Sequence, residues 1–229
     1  MTIDVDAVEL ETTTSFGEGK ETLEQQLSGF PIYKQYNKLY QEFIAQNKET
    51  LSIKERIAPN LTGSTLSGPE KIEYRSPTLY FISDTYFASQ DEIALETALE
   101  NNNDDDDANL NSANYSITFL YLGDKVSGHH GIVHGGLLAT LLDEITCRLA
   151  FLNFPSKKGF TANLNIDYKK PTVVDSWVCI KCTTLKKQGR KCWVRGEVYV
   201  IDPDTESLAP SQERCVGKVL IIEPKVDYQ

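Results

Sequence analysis

Hydrophobic spacing changes twice along the chain. Ile32, Tyr36, Leu39, Tyr40 and Phe43 recur at helical intervals with Lys, Gln and Asn between them. That spacing predicts an amphipathic helix over roughly 21–50 whose apolar stripe docks on another element. "NLTGSTLSGPEK" (60–71) is a turn-rich connector. Beyond it the period falls to two. Strands are predicted at "TLYFISDTYF" (78–87), "YSITFLYLG" (115–123), "FTANLNIDYKK" (160–170), "SWVCIKCTTLKK" (176–187), "RKCWVRGEVYVID" (190–202) and "ERCVGKVLIIEP" (213–224). In the third of these, Ala162, Leu164, Ile166 and Tyr168 alternate with Thr161, Asn163, Asn165 and Asp167. Gln188–Gly189 is a hairpin signal. A single apolar run interrupts the strand pattern, from about Gly136 to Asn153, and it reads as a helix. One helix among antiparallel strands predicts an α+β domain.

On that helix, Gly136, Thr140, Asp143 and Cys147 share a narrow stripe at 100° per residue, flanked by Ala139 and Ala150. Leu138, Leu141, Leu142, Ile145 and Leu149 lie opposite and are expected to bury in the sheet. Small residues let another element come close, and Asp143 stands in their middle. A helix-surface acid, or one paired with Lys or Arg, is the plainer reading of Asp143 alone. Glu144 projects about 80° from Gly136 and reads as structural.

The mouth of the helix adds chemistry. "GHHGIVHGGLLATLLDE", Gly128 to Glu144, holds all three histidines of the chain. A helix N-terminus presents free N–H groups and a dipole that favour developing negative charge, and glycine there admits a substrate carbonyl. His134 reads as a residue orienting the turn, and His129 and His130 as loop residues. Their spacing differs from the helical zinc motif, so no metal is expected. Gly136 and Asp143 are seven residues apart, about 10 Å along the axis. A reacting carbon needs both groups within about 3 Å, so one helix cannot supply both to one atom. Two antiparallel copies can, which predicts a homodimer or higher homo-oligomer with shared sites.

Composition narrows the classes. The 229 residues carry 33 Asp+Glu against 23 Lys+Arg, a net charge of −10. Nucleic acid is not an expected partner, because phosphate neutralisation needs clustered cations. No apolar run is long enough to span a bilayer. Residues 1–20 are acidic and aperiodic, and are expected to be disordered. Residues 21–61 form a helical extension, and 62–229 the main domain with an acidic insertion at about 91–113. Within it, Asp104–Asp107 lacks the glycine and spaced ligands of a calcium loop and reads as a solvated loop. The N-terminus has the wrong composition for a transit or signal peptide, which points to the cytoplasm. Five cysteines without secretory signals read as reduced thiols. Cys179 and Cys182 have metal-like spacing, but alternation sends them to opposite faces of a strand.

"HGIVHGGLLATLLDE" followed by "GFTANLNIDYKKP" resembles the hotdog-fold acyl-CoA thioesterase superfamily, and within it the phenylacetyl-CoA-thioesterase-like branch with its fungal members. The resemblance covers roughly 115–223, and loosely 62–90. It implies an antiparallel sheet wrapped around the central helix at about 136–153, with acyl-CoA as substrate and no cofactor. It implies that the backbone amide at Gly136 polarises the thioester carbonyl. Asp143 would then act as general base or nucleophile from the neighbouring subunit, and Thr161 would place water or the carboxylate. His134 is carried with these, and Gly135 and Asn163 as substrate contacts. The long N-terminal region and the insertion depart from the pattern and bear on access and regulation. Relatives with mitochondrial members make the mitochondrion the alternative compartment. CoA carries phosphates, so Lys169 and Lys170 are candidate contacts, as are Lys186, Lys187, Arg190 and Lys191, although solvated turn charges explain them as well.

Two other functions compete. Hotdog dehydratases pair a catalytic His with an acid in a motif unlike His-Gly-Gly, which disfavours them. A non-catalytic acyl-CoA-binding or regulatory protein fits the same scaffold. The joint presence of Asp143 and Thr161 favours an enzyme.

Overall fold

The computed structural model describes residues 21–46, 61–82 and 114–225. The expected disorder of 1–20, the acidic insertion at 91–113, and the ends of the first predicted helix and strand lie outside these residues. The predicted helix over 21–50 is two helices, α1 (Leu23–Gly29) and α2 (Pro31–Gln46). Thr22 caps α1 in a capping box with Gln25. Pro31 opens α2, where its missing N–H costs nothing, and it keeps Phe30 extended.

The strands are β1 (Ile72–Arg75), β2 (Leu79–Phe81), β3 (Tyr115–Leu122), β4 (Ser127–His129), β5 (Ile132–Val133), β6 (Phe160–Tyr168), β7 (Ser176–Gln188), β8 (Lys191–Ile201) and β9 (Cys215–Ile222). Seven of them form one antiparallel sheet in the order β1-β3-β7-β8-β9-β6, with β2 also pairing with β3. β4 and β5 form a small separate ribbon. β7 and β8 are joined through Gly189 at φ +55°, a left-handed position that suits glycine.

The third helix, α3 (Gly135–Leu152), lies across the inner face of the sheet. Leu138, Leu141, Leu142, Ile145 and Leu149 are buried against Leu120, Val178, Ile180, Val194, Val198, Val219 and Ile221. Each such side chain contributes about 1.5–3 kcal/mol before entropic costs. Ala150, placed beside the small-residue stripe by its helical angle, is instead fully buried in this core. The helix crosses a cross-strand glycine pair, Gly196 and Gly217. A Cβ at Gly196 would lie 2.7 Å from Leu142 Cδ2 and 3.0 Å from Thr146 Cγ2. Two missing side chains thus set how deeply α3 beds into the sheet. At its C-terminus the cap residue Asn153 donates to the Leu149 carbonyl and joins a buried network with Asn114 and Thr184.

The outer face is covered as well. Leu27, Phe30 and Ile32 of the N-terminal helices and their connection pack on Phe81, Phe119, Trp177 and Tyr199. Cys179 faces this outer cluster and Cys182 the inner one, as alternation requires. β6 is different. It ends the sheet, and Phe160 and Tyr168 remain 59% and 55% exposed.

Candidate active site at the mouth and flank of the central helix

His134 is the N-cap of α3, held extended at φ −60°, ψ 126°. Its Nδ1 accepts the Gly136 N–H at 2.8 Å, so that nitrogen carries no proton. Each glycine of the pair then has its own steric reason. A Cβ at Gly136 would meet His134 Nδ1 at 2.8 Å, and one at Gly135 would meet the Tyr168 ring at 3.2–3.4 Å. The consequence for chemistry is specific. The Gly136 amide, read from the sequence as the carbonyl-polarising group, is engaged by the imidazole. The Gly135 N–H has no acceptor among the described residues. It belongs to the peptide whose carbonyl, on His134, takes the Leu137 and Leu138 amides, so its direction is held by the first helical turn.

Asp143 lies two turns further on, half-buried on the flank of α3. Thr161 of β6 donates its hydroxyl to Asp143 Oδ1 at 2.5 Å. Cys147, one turn beyond, contacts the same hydroxyl with its sulfur at 3.1 Å. An ionised carboxylate only accepts and a threonine has one proton to give, so the thiol is the donor to Thr161. Burial pushes the Cys147 thiol up to about 11, which keeps that proton in place at neutral pH.

The simple alternation of 160–170 puts Thr161 on the face opposite Leu164 and Ile166, and the structure corrects this. A one-residue bulge at Ala162 intervenes: Thr161 pairs with Ile221, Asn163 with Leu220 and Leu164 with Val219. Ile221 and Val219 both face the helix, so Thr161 shares the inner face with Leu164. Bulges commonly re-aim side chains beside functional sites. Asn163, opposite Leu220, falls on the outer face, away from Asp143, and is not brought into this cluster.

The basic residues have other work. Lys169 forms an ion pair with Glu213, which is 1% exposed and also binds Arg195 at 2.9 Å. Lys170 donates to the Ser211 carbonyl at 2.5 Å, and Arg190 to the Glu223 carbonyl at 2.8 Å. Lys186 lies 6.0 Å from the Trp193 ring centre. Lys169 and Lys170, expected as phosphate contacts, therefore tie strand ends together. Glu144 is paired with Arg148 and Arg75 and receives the Thr62 hydroxyl, the structural part expected of it. His129 and His130 are exposed at the β4–β5 ribbon. Tyr168 escaped the sequence reading except as a strand residue. Its hydroxyl donates to the Gly135 carbonyl at 2.8 Å, a contact across 33 residues that no local pattern signals.

Residues 130–207 match the Thioesterase superfamily. A Candida albicans protein described as an uncharacterized mitochondrial protein is 34% identical over 119 residues, covering 51% of this chain and 52% of its own. The mouse acyl-coenzyme A thioesterase THEM4 is 39% identical over 90 residues, covering 39% of this chain and 38% of its own. The chain thus spans about half, or less, of the length of these curated relatives. The solved structure of mouse thioesterase superfamily member 2 is 19% identical, covers 48% of this chain and 81% of that one, and superposes with a TM-score of 0.41. A glycine-opened helix is laid across an antiparallel sheet, the architecture of the hotdog fold, and the stretch that is similar to the Thioesterase superfamily runs through that helix and β6 to β8.

Proposed function

We propose that this protein hydrolyses acyl-CoA thioesters. The observation that carries the reading is the Thr161 hydroxyl bonded to Asp143 on the flank of α3, combined with an uncommitted Gly135 N–H at the helix mouth. Asp143, as general base, takes a proton from water, and the resulting hydroxide oxygen bonds to the thioester carbonyl carbon. The carbonyl oxygen becomes an oxyanion that accepts from Gly135 N–H at the positive end of the α3 dipole. When the carbon–oxygen double bond re-forms, the carbon–sulfur bond breaks. CoA leaves as the thiolate and takes up the proton, and the free acid departs. Direct attack by the carboxylate through an anhydride is the variant in which Asp143 is the nucleophile. Thr161 orients the Asp143 carboxylate in either case.

Gly135 and Asp143 are eight residues apart, about 12 Å along the helix, so the two groups at one thioester come from two copies of the chain. The exposed edge strand β6 is the natural seam, since it carries Thr161 and leaves Phe160 and Tyr168 uncovered. Because a fungal relative is described as mitochondrial, fractionation should examine the mitochondrion as well as the cytoplasm.

Thiol release from acyl-CoA substrates, followed by a disulfide chromophore, tests the activity. Asp143→Asn preserves shape and removes basicity. It is expected to lower kcat by about 100-fold or more while acyl-CoA still binds. Wild-type turnover in a folded Asp143→Asn protein sinks the assignment, and binding without turnover in the wild type supports the acyl-CoA-binding alternative.

A further inference from the structure

A helix that opens on two glycines is a poor place to hold a catalytic amide. Glycine in a helix is less favourable than alanine because its backbone has the most freedom to lose. Stabilisation of an oxyanion depends on a donor fixed within about 0.5 Å of its working position. The turn therefore needs outside restraint, and the structure supplies it on three sides. His134 Nδ1 accepts the Gly136 N–H at 2.8 Å. Thr140 donates its hydroxyl to the Gly136 carbonyl at 2.9 Å. The third restraint comes from outside the helix: Tyr168 donates its hydroxyl to the Gly135 carbonyl at 2.8 Å, and its ring fills the space where a Gly135 side chain would lie.

We propose that Tyr168 is a positioning residue for the oxyanion donor, clamping the first peptide of α3 so that the Gly135 N–H keeps its aim. This rests on the thioesterase reading above. The Gly135 carbonyl and the Gly136 N–H belong to one peptide plane. Tyr168 holds its oxygen end and His134 its nitrogen end, so the plane is gripped from both sides. Holding that plane fixes ψ at Gly135, on the one side of its Cα, while the Leu137 and Leu138 amides on the His134 carbonyl hold the plane that carries the Gly135 N–H on the other. The clamp is carried by β6, whose other end carries Thr161. The strand runs beside α3 so that Thr161 meets Asp143 and Tyr168 meets Gly135, and one edge strand aligns both chemical ends of the helix. In a single chain 55% of Tyr168 stays exposed. Its hydroxyl is thus spent on the turn rather than on stabilising the core.

The test compares the full-length protein with its Tyr168→Phe and Tyr168→Leu variants by thioester hydrolysis and by amide hydrogen exchange of glycine-labelled protein. Tyr168→Phe keeps the ring and loses the donor. It is expected to lower kcat about tenfold, less than the hundredfold or more typical of deleting an oxyanion donor itself, with KM within twofold and an unchanged melting curve. Tyr168→Leu removes the ring as well and is expected to fall further. Exchange at the Gly136 amide is expected to accelerate several-fold in both. An unaltered kcat for Tyr168→Phe in an active protein overturns the clamp, as does a drop explained wholly by KM. If the wild type shows no hydrolysis, the thioesterase reading fails, and the clamp is judged on exchange alone: an unchanged Gly136 rate in Tyr168→Phe then overturns it.

Discussion

Glu213 is almost completely enclosed, yet it carries a charge, and two cations converge on it: Lys169 from the end of β6 and Arg195 from β8. Burial alone raises its carboxyl. The hydrogen bond from Lys169 and the charge of Arg195 outweigh this and hold it below the usual carboxylate range. The sign of the pH effect follows. A carboxyl whose folded value is lower than its unfolded value stabilises the protein fully above the unfolded value, about 4.3. That contribution is lost as pH falls through the folded value. Glu213→Gln is therefore expected to cost roughly 1–3 kcal/mol at pH 7, since it leaves Lys169 without its buried counter-ion and Arg195 with Glu197 alone. The gap between variant and wild type should close as the pH drops below about 4. Urea unfolding of both proteins across that range measures it, and a gap that stays constant would assign the loss to packing. The sequence shows the charge of Lys169 but not a partner 44 residues away. The place of Asp143 on a small-residue stripe was legible from helical spacing, whereas Thr161 entered only through the family resemblance and its facing was hidden by the bulge at Ala162.

At the level of elements, the central helix was readable almost to its ends: the stripe from Gly136 to Asn153 became Gly135–Leu152 with Asn153 as cap. Its apolar face is continuous and its boundary residues are glycine and asparagine, so periodicity and end signals agree. β6 was readable as a strand but not in its facing. Period-two counting assumes one residue per step, and a bulge at Ala162 shifts the parity of everything before it. The two-helix N-terminus was obscured because Ile32, Tyr36, Leu39 and Phe43 keep one stripe across α2, while the break at Phe30–Pro31 precedes it. Gly196 offered no signal in the strand pattern beyond a weak residue in a strong strand. Its meaning is the close approach of α3. Gly196→Val places branched carbon against Leu142, whose neighbour is Asp143. It is expected to destabilise the protein by about 1–3 kcal/mol through overpacking and to reduce kcat by lifting Asp143 from Thr161. Unfolding midpoints and thiol release on the same preparation check both; a stable Gly196→Val protein with full activity would show that the helix tolerates a shallower seat.

For the whole molecule, the two faces and one edge of the sheet have different fates. The inner face is filled by α3 and part of the outer face by α1 and α2, while β6 keeps an open edge with exposed aromatic residues. In the proposed dimer, two copies pair along that edge with the helix mouth of one towards the Asp143 flank of the other, and this makes a distinct prediction about shared sites. Asp143→Ala removes the proposed base. Gly135→Pro removes the N–H and crowds the Tyr168 ring, so it disables the helix mouth of its own chain; the backbone accepts it, because proline is favoured at the first helical position and His134 at ψ 126° already has the extended backbone that precedes proline. Each variant alone is expected to be inactive. In a mixed dimer, one site contains both lesions, and the other pairs the intact Asp143 of the Gly135→Pro chain with the intact amide of the Asp143→Ala chain. Co-expression with two different affinity tags and sequential purification isolates this heterodimer. It is expected to recover about half of the wild-type rate per dimer, because one of two sites is whole. Activity that fails to return in a verified heterodimer would mean that each chain supplies its own base and its own oxyanion donor. The 12 Å between them along α3, about eight residues of rise, would then have to be bridged by a different amide.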